Sequence, residues 1–189
     1  MNIKKLFFPY SKNKKNIKIF LLLLIKITEK IPENKTDEIK VLVLKINKNI
    51  DSFNQNLSSQ KNAAHYIQIT KGIKDISSLL ENISFEISFH KMAYNKLLKT
   101  LVIDLERILI LLSKLIVSNK ATVEKSGFNI EIKQFFAQAL KETKLAKTYI
   151  SNETDNFIEN LKFSSIYDRM ESCFIAADDI NDGISSLSD

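Results

Sequence analysis

Three glycines and two prolines are all that interrupt 189 residues. These two residue types are the strongest punctuators of a chain, glycine for tight turns and proline for helix ends. An all-β sandwich or barrel needs turn signals roughly every 8–12 residues, which this chain cannot supply. Long helices remain, and the apolar pattern agrees. Ile17, Phe20, Leu24, Ile27 and Ile31 alternate steps of three and four before Pro32 stops the run. "KTDEIK" opens the next helix, with Thr36 as N-cap and acids in the first turn. Its stripe is Ile39, Val43, Ile46, Ile50, Phe53 and Leu57, although "IKVLVLKI" (39–46) also suits a strand. After a polar break near "NLSSQKN", one stripe runs through Ile76, Leu80, Ile83, Ile87, His90, Tyr94, Leu97 and Leu101, with Gly72 a candidate kink upstream. Residues 101–117 are apolar nearly all round, as in a helix buried on several sides. "SNKATVEKSGFN" (118–129) reads as the clearest loop. Ile132, Phe136, Ala139, Thr143, Ala146 and Ile150 form another stripe, and Ile166, Met170, Cys173, Ala177, Ile180, Ile184 and Leu187 the last.

Seams with a period near 3.5 suit coiled-coil-like packing of near-parallel long helices. The expected fold class is therefore all-α: one antiparallel helical bundle of five to six helices spanning residues 1–189, with 1–16 as a basic start. No repeat of fixed period is visible. With 44% apolar and 26% charged residues the chain can bury a core and is not disordered. Cys173 is the only cysteine, which excludes an internal disulfide and fits a reducing compartment. "NIKIFLLLLIKI" (16–27) has an uninterrupted apolar run only over 19–25, far short of the roughly 20 residues that span a bilayer. Lys26 interrupts it and "ITEKIPENK" lacks a small-x-small cleavage site, so it reads as an amphipathic helix, with a secretion signal as the alternative. The apolar stretch 100–117 carries Asp104, Glu106, Arg107 and Lys114 and reads as a core helix.

Catalytic signals are missing. The chain has no H-E-x-x-H, C-x-x-C, P-loop or G-x-G-x-x-G. Two histidines and one cysteine leave little for triads or zinc fingers, so no enzymatic activity is expected. His65 carries no signal. Glu86 and His90 are four apart and could face one ion, but His90 sits on the apolar seam and reads as a core histidine. Arg107 and Arg169 are the only arginines, which argues against nucleic-acid recognition despite a net charge of +6.

That charge is polarised. Residues 1–48 hold twelve Lys against four acids, whereas 151–189 hold Lys162 and Arg169 against nine acids. The two ends could serve an outside partner or neutralise each other within the fold. Lys-rich starts also suit a membrane surface or the cytoplasmic loops of a membrane protein. In "SSIYDRMESCFIAADDINDGISS" (164–186), Asp168, Glu171, Ile175, Asp178 and Asp182 share one helical face at the edge of the apolar seam. Carboxylates there could bind Mg²⁺, Ca²⁺ or an iron cluster, meet a basic partner, or only stay solvated.

The same helix resembles a known family. "IYDRMESCFIAADDINDGI" (166–184) is similar to the last helix of the PhoU-like family of phosphate-transport regulators (the DUF47 group), whose pattern is close to I-Y-E-x-L-E-x-x-x-D-R-C-E-D-V-A-D-V. Ile166, Tyr167, Asp168, Met170, Glu171, Asp178, Asp179, Ile180 and Asp182 fall on matching positions. "LENISFEI" (80–87) and "TLVIDLERI" (100–108) resemble the family's L-E-x-x-A-D-x-I and I-T-P-F-D-R-E-D-I, and "KLFFPYSK" its opening L-F-P. The family carries two E-x-x-x-D metal motifs on helices related by an internal repeat. Here Glu81 and Glu171 keep the Glu, but Phe85 and Ile175 replace both Asp; Val102 replaces the Pro before Asp104, and the segment between 150 and 166 is shortened. The resemblance thus implies a divergent, PhoU-like member that kept the bundle and lost the metal cluster. It implies no cofactor beyond a residual metal ion at Glu81, Glu171, Asp178 and Asp182. The implied partner is an inorganic phosphate transporter, a membrane protein, met through Asp168, Asp178, Asp179 and Asp182 from the cytoplasmic side; a homo-oligomer is also compatible. The alternative is a helical structural or surface interaction protein unrelated to phosphate.

Overall fold

The computed structural model describes residues 12–57, 62–118, 122–153 and 157–187. They form six helices and, among the described residues, no strand: α1 (Lys12–Lys30), α2 (Thr36–Gln55), α3 (Ala63–Phe89), α4 (Lys96–Leu115), α5 (Thr122–Glu153) and α6 (Phe157–Ser185). The fold is the expected all-α bundle. The stripes of the first, second and last helices are buried throughout, from Ile17 to Ile31, Ile39 to Leu57 and Ile166 to Leu187. "IKVLVLKI" is helical, within α2. Among the described residues no helix is long and apolar enough to cross a membrane.

Several expectations are corrected. Lys12–Asn16 belong to α1, so the basic start becomes helical earlier than 16; residues 1–11, with "KLFFPYS", lie outside the described residues. Thr36 is the first helical residue rather than the cap, and its hydroxyl lies 3.1 Å from Ser84 Oγ on α3. The stripe 76–101 is cut in two, because α3 ends at Phe89 and α4 begins at Lys96. Asn95 makes the new start: its Oδ1 accepts from Leu98 N at 2.8 Å, and its Nδ2 donates to Tyr167 Oη on α6 at 3.1 Å. His90 is consequently an exposed residue at the end of α3, not a core histidine, with its ring edge-on to Phe89. The loop expected over 118–129 is largely helix, since α5 starts at Thr122 and Gly127 lies inside it.

The six helices fall into two halves. Helices α1, α2 and α3 pack on one another, as do α4, α5 and α6, and the halves join where α1 meets α4 and α3 meets α6. A four-helix core of α1, α3, α6 and α4 results, with α2 and α5 outside it. The layout repeats as α1 to α4, α2 to α5 and α3 to α6, although the sequence shows no repeat. Helix α4 touches α1, α5 and α6, which explains why it is apolar nearly all round.

Helices α3 and α6 run antiparallel: Gly72 lies beside Ile180, Gly183 beside Ile69, and Glu86 bonds Arg169. The two glycines let them approach. A Cβ at Gly72 would sit 2.7 Å from Ile180 Cγ1, and one at Gly183 2.8 Å from Ile69 Cγ1. Gly72 thus serves close packing inside an unbroken helix.

Candidate functional site: the acidic face of the last helix

Helix α6 turns its apolar seam inward and leaves its carboxylates along the edge that meets α5. Lys133 Nζ lies 2.6 Å from Asp178 Oδ1 and 3.1 Å from Asp182 Oδ1. Lys147 Nζ lies 2.5 Å from both Asp168 Oδ1 and Glu171 Oε2. Lys133 and Lys147 are four helical turns apart on one face of α5, so two lysines clamp four acids. For each lysine, partial burial opposes the charge, yet the paired carboxylates outweigh it and raise the pKa. The neutralisation is internal, but its cations come from α5. The Lys-rich α1 packs chiefly on α2, α3 and α4.

Asp179 is exposed, and with Asp75, Ser78, Asn82, Ser172 and Ile175 it lines a shallow depression between α3 and α6. Glu81 lies beside the turn from α1 to α2, in a groove shared with Lys35, Lys40 and Phe85. Phe85 and Ile175, which stand where the family pattern has Asp, are 55% and 50% exposed. Phe85 stacks on Phe89 with ring centroids 5.5 Å apart. Among the described residues, no three His, Cys, Asp or Glu side chains form a group that could hold a metal ion. Glu171, Asp178 and Asp182 each face a lysine ammonium instead. Glu86 does not pair with His90; it takes a 2.8 Å ion pair from Arg169. Cys173 is fully buried, and burial raises its thiol pKa, so it packs rather than reacts.

Sequence reasoning missed Lys133 and Lys147, whose spacing on one face of α5 was the available signal. It also missed a second acidic pair. Asp104, on the seam of α4 between Leu101 and Ile108, is almost wholly buried and lies within hydrogen-bonding reach of Glu142 on α5. Burial and Glu142 push its carboxyl up to about 6, with Arg107 opposing.

No family model, curated protein or solved structure matches this chain.

Proposed function

We propose that this protein is a non-enzymatic accessory or regulator of inorganic phosphate transport, docking on the cytoplasmic side of a phosphate permease. The supporting observation is the two-half layout, in which Glu81 lies on α3 and Glu171 on α6, the closing helices of corresponding halves. That is the arrangement implied by the resemblance at 166–184. With Phe85 and Ile175 exposed where the family pattern carries metal-binding Asp, recognition falls to the acidic face itself. Asp168, Asp178, Asp179 and Asp182 would meet basic loops of the permease in place of Lys133 and Lys147. The Lys-rich α1, on the other half, would face the membrane surface.

Deleting the gene should alter phosphate uptake, and a tagged protein should co-purify with a phosphate permease of the same cell. Asn at positions 168, 178, 179 and 182 should weaken that association, and high salt should erase the difference. Unchanged uptake together with no permease in the pull-down would sink the proposal. A second reading, a helical interaction protein with no link to phosphate, is favoured by a different surface. Leu145, Phe157 and Leu161 are more than half exposed around the α5–α6 connection. Co-purification that survives the four Asn changes but is lost with Leu161→Ser would favour it.

A further inference from the structure

Helix α5 covers one side of the bundle with a mixed apolar and polar face, on which Phe128, Phe135, Phe136 and Leu140 pack partly buried against the core. Among its described side chains the fully buried apolar ones are Ile132, Ala139, Ala146 and Ile150, and two of these are alanines. Polar contacts add to these: Lys133 and Lys147 reach α6, and Glu142 meets Asp104 of α4.

The Asp104–Glu142 contact has an unusual composition. Arg107 Nη1 donates to Asp104 Oδ1 at 3.2 Å, and Gln138 Nε2 donates to Glu142 Oε1 at 2.8 Å. The other two oxygens, Asp104 Oδ2 and Glu142 Oε2, are shielded from solvent and accept from no donor. Two carboxylates cannot bond each other. One proton between them makes an O–H···O bond that satisfies both oxygens, and its loss leaves two like charges facing each other away from water. The charged groups that bear on Asp104 are Glu142 from α5 and Arg107 from α4 itself; α1 and α6, also packed on α4, add none. The Arg107 side chain is 57% exposed, so water screens much of its compensation.

We propose that α5 is a protonation-dependent flap, fastened to α4 by a proton shared between Asp104 and Glu142 and loosened when that proton leaves. The direction follows from linkage. Asp104 holds its proton more tightly in the closed fold, up to about 6, than the ordinary 3.8 of a free carboxyl. The fastening is therefore complete at the acidic end, declines as pH rises from about 4 to about 6, and is absent above that. At neutral pH the Lys133 and Lys147 clamps and the apolar contacts hold α5 without it. Lifting α5 frees Asp168, Glu171, Asp178 and Asp182 from their lysine partners. That this exposes them to a transporter rests on the function proposed above; the fastening itself does not.

Amide hydrogen exchange of the full chain, read by mass spectrometry at pH 5 and 7.5 and corrected for intrinsic rates, tests the flap. Peptides from 132–150 should lose protection at least several-fold at the higher pH, while peptides of α3 hold theirs. Asp104→Asn replaces the shared proton with a permanent amide donor, so its α5 should keep its protection at pH 7.5. Glu142→Gln supplies the same donor from the other side and serves if Asp104→Asn does not fold. Equal α5 protection at both pH values in the wild type, or a wild-type pH response in the amide variant, would overturn the proposal. Because no transporter enters the experiment, the flap and the transport reading fail separately.

Discussion

A single methyl group at Gly72 tests the close approach of α3 and α6. In Gly72→Ala the new Cβ would lie 2.7 Å from Ile180 Cγ1 and 3.1 Å from the Ala176 carbonyl oxygen. Neither neighbour yields easily. Ile180 is fully buried, and the carbonyl belongs to the backbone of α6. Overpacking of this kind costs about 1–3 kcal/mol, while alanine is favoured over glycine in a helix interior by about 1 kcal/mol. With two close contacts the overpacking falls at about 2–3 kcal/mol, so the balance is a net loss of about 1–2 kcal/mol. Gly127→Ala is the internal control: Gly127 also lies in a helix, but a Cβ there meets nothing within 4 Å. Only the propensity term acts, so that variant should gain about 0.5–1 kcal/mol. Urea unfolding followed by circular dichroism should place the two midpoints on opposite sides of the wild type, with unchanged slopes. A Gly72→Ala midpoint at or above the wild-type value would refute the reasoning, because α3 and α6 would then have room to spare.

Other outcomes follow from individual side chains. Asn95→Ala removes both the cap of α4 and the partner of Tyr167 Oη, and should cost about 1–2 kcal/mol in the same urea assay. Leu112 is fully buried on the helix that touches α1, α5 and α6, so Leu112→Ala should cost about 2–5 kcal/mol; a wild-type midpoint would contradict its central place. Lys91 adopts a left-handed conformation with φ of 50°, and Lys91→Gly should relieve up to about 1 kcal/mol, visible as a raised melting temperature. Elemental analysis of the purified protein should find only substoichiometric iron, manganese or zinc, since no three His, Cys, Asp or Glu side chains among the described residues form a group that could hold an ion.

What was legible in the sequence is what local periodicity decides. The seams from Ile17 to Ile31, Ile39 to Leu57 and Ile166 to Leu187 are buried in full because burial selects the 3.5-residue spacing that the eye finds. The turn at Pro32 was readable for a similar reason, since proline ends helices by its own covalent structure. The break at 90–95 was not. "HKMAYN" contains neither Gly nor Pro, Lys91 takes a conformation that lysine seldom adopts, and the apolar spacing carries straight across from Ile87 to Leu101. Ser126 and Gly127 misled in the opposite sense, as loop residues that stay helical in α5. At the site, the shared face of Asp168, Glu171, Asp178 and Asp182 was predictable from helix geometry. Their partners were not, because Lys133 and Lys147 reach them only once α5 lies on α6, which is a tertiary choice. Asp104 and Glu142 meet for the same kind of reason, across the seam between α4 and α5.

The division into two halves bears on the order in which the chain folds. Within each half, the helices that touch are close in sequence, so their contacts close short loops and form fast. Contacts between the halves join distant segments: Gln68 bonds the carbonyl of Asp179, and Gly72 waits for Ile180. Docking of α6 on α3 therefore carries the largest loop-closure entropy in the molecule. On the ribosome, residues 12–89 can gather into their three-helix unit long before 157–185 exist. Through that interval the α3 surface around Ile69 and Gly72 stays bare and apolar, and it is open to aggregation until the last helix closes it.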